Sequence, residues 1–262
     1  MAQSEDILVV SREDAVVTLT LNRPQRLNAL SQSLLARLAE ALAALKEDGT
    51  TRAMIVTGTG RGFSSGADLM EAPESGPPDL ARTLRERYAP VIEGLVALPF
   101  PTIAAVNGPA AGAGMSLALA CDFVIAAESA YFLQAFVNIG LVPDAGSTWF
   151  LPRLIGPVAA RRMMMLGEKV SAAEAERLGL VAEVVSDAEL MPRARALAER
   201  LAQGPTRALA GIKQLVQASW TNDLATQLEL EAEWQGEMGH TRDFFEGVQA
   251  FAMKRPPKFE GR

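Results

Sequence analysis

Val106-Asn107-Gly108-Pro109-Ala110-Ala111-Gly112-Ala113-Gly114-Met115-Ser116-Leu117 reads as the end of a strand, a turn of small residues and the start of an apolar helix. The run before it, Thr102 to Val106, is short and apolar, the pattern of a buried strand. Small residues at such a turn let backbone N–H groups come close to a ligand or to another turn. The design recurs upstream. Arg52 to Thr57 reads as a buried strand and leads into Gly58-Thr59-Gly60-Arg61-Gly62-Phe63-Ser64-Ser65-Gly66-Ala67-Asp68-Leu69, which is expected to open a helix. Two such turns in one sheet can place two N–H donors around one point, as a developing oxyanion requires. Plainer readings stay open: the upstream loop can merely turn the chain, and the downstream one can serve close helix–strand packing. A dinucleotide fingerprint is a poor fit, because Gly58-Thr59-Gly60-Arg61-Gly62 lacks a third glycine after two intervening residues.

Working outward, Ile7 to Val10 and Val16 to Leu21 are β-rich runs around polar Ser11-Arg12-Glu13-Asp14, which predicts an N-terminal hairpin. Asn22-Arg23-Pro24-Gln25-Arg26 ends the second run, since proline cannot donate to a ladder. Ser31 is placed to cap a helix with Leu34, Leu38, Leu42 and Leu45 at helical spacing, and Gly49 ends it. Phe123 to Ala126 is a further buried strand. Strands separated by helical segments predict βαβ units, a parallel sheet and an α/β class. Ala72 to Pro78, rich in proline and glycine, is expected to be a mobile loop. After Gly156 the pattern is almost wholly helical, with breaks near Gly167, Gly179, Gly204-Pro205 and Gly239. The expected division is an α/β core over 1–185 and a helical C-terminal part over 186–262.

The 262 residues are 49% hydrophobic and 21% charged, as in an ordinary soluble globular protein. A net charge of -6 argues against nucleic acid as the main partner. No run approaches the ~20 apolar residues of a membrane span, and Met1 to Glu5 lacks the pattern of a signal peptide. The single cysteine, Cys121, excludes an internal disulfide and fits a reducing cytoplasm. With one cysteine and one histidine, His240, no ordinary zinc site can be assembled. Met163-Met164-Met165 reads as core filler.

The stretch Phe132 to Trp149 is mostly apolar and holds one carboxylate, Asp144, between Pro143 and Ala145. Near Phe132, Phe136, Val142 and Trp149, its pKa should be raised, because desolvation penalises the charged form. Asp144 could equally cap a helix beginning near Gly146.

Together these segments resemble the enoyl-CoA hydratase/isomerase (crotonase) superfamily. Phe63-Ser64-Ser65-Gly66-Ala67-Asp68-Leu69 is similar to its oxyanion segment. Asn107-Gly108 through Gly112-Ala113-Gly114, then Ala118-Leu119-Ala120-Cys121-Asp122, resembles its second signature. Leu21-Asn22-Arg23-Pro24 with Leu27-Asn28-Ala29-Leu30 is similar to its first turn, and Leu178-Gly179-Leu180-Val181 with Val184-Val185 to the end of its core. The match runs from about Val9 to Arg262. The resemblance implies a crotonase-like spiral core (a ββα superhelix), a helical C-terminal trimerisation region, and a homotrimer or dimer of trimers. It also implies acyl-CoA thioesters as substrates; coenzyme A is then part of the substrate, and no separate cofactor is implied.

Carried onto this chain, the resemblance assigns the backbone N–H groups of Ala67 and Ala113 to an oxyanion hole, with the helix opening at Gly114 pointing its positive end at the same oxygen. Arg26, Leu27, Ser65, Gly66, Asp68 and Leu69 would lie along coenzyme A, and Gly112, Gly114 and Phe136 complete the substrate-binding set. Asp68 has the alternative of capping its helix. Hydratases of the family use two glutamates, and at the matching positions this chain has Ser116 and Phe136. Neither can act as a carboxylate acid or base. The remaining carboxylate, Asp144, stands where those hydratases have glycine. That arrangement, with Gln134-Ala135-Phe136 and Trp149, resembles the phenylacetate-degradation isomerases, which act on 1,2-epoxyphenylacetyl-CoA and also shift double bonds in enoyl-CoA. An acyl-CoA isomerase with Asp144 as its single acid/base is the expected activity. The rivals are an enoyl-CoA hydratase of fatty-acid β-oxidation and a non-catalytic acyl-CoA-binding scaffold. A dehalogenase-type reaction would need a histidine between about Asp68 and Pro90, and there is none.

Overall fold

The computed structural model describes residues 6–71 and 79–262. The segment Met1 to Glu5 and the expected loop Ala72 to Pro78 lie outside the described residues. The first two strands, β1 (Leu8–Glu13) and β2 (Val16–Leu21), form the antiparallel hairpin. Ser11, Arg12 and Glu13 are strand, where a turn was expected. β1 is the edge of the sheet and mostly exposed, so polar side chains suit it, and the turn falls on Asp14 at φ 52.

Ser31 caps α1 (Gln32–Glu47), its Oγ accepting from the Leu34 N–H at 3.2 Å. Leu34, Leu38, Leu42 and Leu45 are buried along one face, each contributing about 1.5–3 kcal/mol. β3 (Ala53–Gly58) pairs parallel with β2 and is buried along its whole length, which is why it reads as an unbroken apolar run. After the undescribed segment, α2 (Leu80–Thr83) passes through a π-helical turn, Leu84–Tyr88, into α3 (Ala89–Val96). Then come β4 (Thr102–Val106), β5 (Ala110–Ala111), α4 (Ala113–Leu119), β6 (Phe123–Ala127) and β7 (Tyr131–Leu133). The chain continues with α5 (Ser147–Leu166), broken at Gly156 before Pro157, then β8 (Lys169–Ser171), α6 (Ala172–Arg177) and β9 (Glu183–Val185). The remaining elements are helices: α7 (Leu190–Ala202), α8 (Thr206–Ala218), α9 (Leu224–Met238) and α10 (Arg242–Ala252).

The main sheet has six strands in the order β1-β2-β3-β4-β6-β9, parallel except for the hairpin. A second sheet, β5-β7-β8, was not anticipated; its strands of two or three residues are too short to show a period. Strand content ends at Val185, while the packed core reaches on through α7, whose Leu190, Ala194, Ala198 and Ala202 are buried in it. Of the three consecutive methionines only Met163 is core; Met165 is 67% exposed on the outer side of α5.

The last helices leave apolar side chains uncovered. Phe244, Val248 and Phe251 follow one another along a single face of α10 and are exposed, as are Trp220, Leu224 and Leu228. Trp234 differs, because its ring lies against Gly211 of α8 in the same chain. No described helix is long and apolar enough to cross a membrane.

Candidate active site

Three turns meet at the C-terminal ends of β2, β3 and β4, and two asparagines fasten them. Asn28 is fully buried; its Nδ2 donates to the carbonyls of Thr59 (3.0 Å) and Gly62 (2.7 Å), and its Oδ1 accepts from the Arg23 N–H (2.8 Å). Asn107 Nδ2 donates to Gly58 O (2.8 Å) and Gly60 O (2.9 Å). Ser64, also fully buried, donates its hydroxyl to Asn28 O at 2.8 Å, and its carbonyl accepts from the Ala111 N–H at 2.9 Å. Glycine is required where the turns touch. A Cβ on Gly114 would lie 2.6 Å from Ser64 Cβ, and one on Gly66, at φ +89, would lie 2.7 Å from Ala111 O.

That same Cβ position on Gly66 is 3.4 Å from the Ala113 nitrogen. The Ala113 N–H and the peptide joining Gly66 to Ala67 are therefore neighbours. Neither the Ala67 nor the Ala113 N–H has an acceptor among the described residues. Ala113 is the first residue of α4, where the helix leaves its N–H unsatisfied. Two unpaired amides side by side have the donor chemistry that an oxyanion needs. The helix expected to open after Ala67 is absent from residues 67–71: Ala67 bridges to Leu30, and turn and bend follow at 69–71.

Arg26, Leu27 and the segment Ser65 to Leu69 are brought together: the Ser65 N–H donates to Leu27 O (2.9 Å) and Ser65 Oγ to Arg26 O (3.3 Å). Arg26 and Leu69 are exposed. Asp68 caps no helix among the described residues; it pairs with Arg23 at 2.8 Å, with its side chain only 8% exposed. Burial works against its charge, but the Arg23 hydrogen bond, the Met70 N–H and the charges of Arg23 and Arg26 outweigh it and lower the pKa. Phe136 is buried in the 3-10 turn Ala135–Ile139, with its ring 3.6 Å from where a Cβ on Gly112 would stand.

Asp144 does not cap α5 with its side chain. The N-cap is Gly146, which supplies no side-chain bond, and it is the Asp144 carbonyl that accepts from the Ser147 N–H. The carboxylate Oδ1 is buried with no partner among the described residues, and burial raises the pKa to about 6. The expected neighbours account for this only in part. Val142 is 80% exposed, and the Trp149 ring meets Phe150 edge to face and lies under the Arg153 guanidinium, 4.1 Å away. A second titratable group that feels the Asp144 charge is the Tyr88 phenol, whose pKa is raised first by burial and then by the charges of Asp144, Glu71 and Asp68. Tyr88 lies one turn before Ile92, which packs against the Gly146 turn. Among the described residues, five other than glycine have positive φ, and three of them are Leu27, Asn28 and Ala145 at this site. Such conformations cost energy and cluster where function needs them.

The sequence model of the enoyl-CoA hydratase/isomerase family matches residues 11–262. The chain belongs to the enoyl-CoA hydratase/isomerase family. It is 48% identical over 249 residues, 95% of this chain and 96% of the other, to a Rhodobacter capsulatus protein named "Probable enoyl-CoA hydratase". It is 46% identical over 253 residues to the 1,2-epoxyphenylacetyl-CoA isomerase of Escherichia coli K12, covering 95% and 97% of the two chains. The crystal structure of an enoyl-CoA hydratase from Mycobacterium smegmatis superposes with a TM-score of 0.92 at 35% identity, covering 97% of this chain and 99% of that one. The fold is thus the crotonase fold, with the C-terminal helical region expected of it.

Within this crotonase-fold enzyme, the two positions expected to carry a hydratase's glutamates hold no ionisable group. Ser116 is buried in α4, and Phe136 packs beside Gly112. The fastening roles of Asn28, Asn107 and Ser64 escaped the sequence reading. Their only signal was a polar residue in an otherwise small or apolar turn, and what each would bond to depends on how the three turns meet.

Proposed function

We propose that this family member is an acyl-CoA isomerase with one proton carrier. The Ala67 and Ala113 N–H groups hold the thioester carbonyl oxygen, and Arg26, Leu27 and the Ser65 to Leu69 turn run along coenzyme A. For a 3-enoyl substrate, Asp144 takes the proton from the carbon next to the thioester. The negative charge spreads onto the carbonyl oxygen as a dienolate, and the two N–H donors stabilise it. Asp144 then returns the proton two carbons further along, moving the double bond without adding water. A carboxyl near pH 6 is well matched to giving and taking protons near neutrality. The observation that carries this reading is the Asp144 carboxyl, whose Oδ1 is buried with no partner among the described residues, in a site whose other two candidate positions are Ser116 and Phe136. The likeness to the Escherichia coli isomerase supports ring-epoxidised phenylacetyl-CoA as a substrate alongside straight-chain 3-enoyl-CoA.

A substrate panel tests this directly. The enzyme should convert 3-enoyl-CoA or 1,2-epoxyphenylacetyl-CoA, and leave the absorbance of crotonyl-CoA unchanged in water. Hydration of crotonyl-CoA at a rate matching or exceeding isomerisation would overturn the proposal in favour of the activity named for the Rhodobacter relative. Binding of thioesters with no turnover of any of the three would leave a scaffold.

We further propose that the exposed apolar face of α10, with Trp220, Leu224 and Leu228, packs between copies in a homotrimer or dimer of trimers. Light scattering should report three or six chains at micromolar concentration. A monomer would refute it.

A further inference from the structure

Ser116 is fully buried one turn into α4, three residues after Ala113. Its Oγ lies 2.6 Å from Ser147 Oγ, 3.2 Å from the Asp144 carbonyl oxygen and 3.4 Å from Gly112 O. Each hydroxyl has one proton to give. Ser147 Oγ has no other partner among the described residues. Both protons are used only if Ser147 donates to Ser116 and Ser116 donates onward to a carbonyl, of which the nearer is that of Asp144. The Asp144 carbonyl then receives two bonds, the other being the Ser147 N–H at 2.9 Å. The residues that follow, Ala145 at φ 48 and Gly146 at φ 85, are left-handed. For alanine that conformation persists only where the surroundings enforce it.

We infer that Ser116 is a positioning residue for proton transfer: by bonding the Asp144 carbonyl to α4, it fixes the base relative to the Ala113 N–H on the same helix. Ser116 acts on the backbone of Asp144 and touches neither the reacting atoms nor the carboxylate. The inference rests on the reading of Asp144 as the base. Its physical basis is that proton transfer depends steeply on placement, and a shift of about 1 Å can cost ~10²-fold.

The test is a double-mutant cycle of wild type, Ser116→Ala, Asp144→Asn and both together. It reads kcat on 3-enoyl-CoA, acetyl-CoA affinity by calorimetry, and melting temperature. Ser116→Ala should lower kcat about 10–100-fold and leave acetyl-CoA affinity nearly unchanged. Added to Asp144→Asn, it should cost nothing further, since its effect passes through Asp144. The same fractional loss in both backgrounds, or wild-type kcat in Ser116→Ala, overturns the inference. Undiminished turnover in Asp144→Asn alone is a separate result that overturns the base assignment. If Ser116→Ala does not fold, Ser116→Cys fills the same space with a weak donor and must show the same kcat loss and the same absence of effect beside Asp144→Asn.

Discussion

Asp144→Asn should lower isomerase turnover by about 10²–10⁴-fold, the usual contribution of a general acid–base residue. Asparagine keeps the size and shape of aspartate and removes its capacity to carry a proton. Acyl-CoA affinity should change little, because in the proposed binding mode it comes from the nucleotide contacts and the two N–H donors. Stability should move the other way. The native Asp144 carboxyl lies at about 6, above its ordinary 3.8, because burial penalises the charge. The native state therefore holds this proton more tightly than the unfolded chain does. The resulting stabilisation is complete below pH ~4 and is lost as pH rises through ~6. Asparagine carries no charge at any of these values. The variant should melt higher than wild type at pH 8, by on the order of 1–2 kcal/mol after allowance for the carboxylate's partial exposure, and the gap should close at pH 4. The parent's kcat/KM should fall below pH ~6 as the base becomes protonated. Steady-state rates and melting curves at the two pH values check all of this. Near-wild-type turnover on a substrate the parent converts would eliminate Asp144 as the base.

Ala113→Pro should cost about 2.7–4 kcal/mol of transition-state stabilisation, or 10²–10³-fold in kcat. Ala113 is the first residue of α4, the one helical position that suits proline, and the residue before it, Gly112, has no Cβ to clash. The substitution thus removes the N–H at a point where the backbone tolerates it. In place of the amide hydrogen, proline also presents a ring carbon to the space where the thioester oxygen would sit. Melting temperature shows whether the variant is folded. A folded Ala113→Pro enzyme with undiminished turnover would show that Ala113 is not a donor.

How much could be read from the sequence differed by kind of feature. The sheet's interior was legible because β3 and β4 are buried throughout and so appear as continuous apolar runs. The Ser31 cap and the leucine stripe of α1 are local patterns and stood out equally well. β5, β7 and β8 were invisible, because they are two or three residues long and pair across α4 and β6 on one side and α5 on the other. At the site, the glycine-rich turns indicated close backbone approach, but only the fold gives the contact of Gly66 with Ala111. The sequence left Asp144 divided between cap and base. That question turns on the direction of one side chain, and the cap bond is absent. The influence of the Asp144 charge on Tyr88 was not legible, since Tyr88 ends a π-helical turn that has no sequence period and lies far from Asp144 along the chain.

The placement of Ser116 and Phe136 also constrains how such a chain can evolve. A glutamate at 116 would introduce a charge at a fully buried point and break the bonds that join α4 to Ser147 and the Asp144 carbonyl. A glutamate at 136 would replace a buried ring that packs beside Gly112. Either change alone weakens the existing chemistry before the two-carboxylate chemistry is complete. On the proposed chemistry, converting this site to a two-carboxylate one takes both substitutions, and each disturbs packing that the present site is built on.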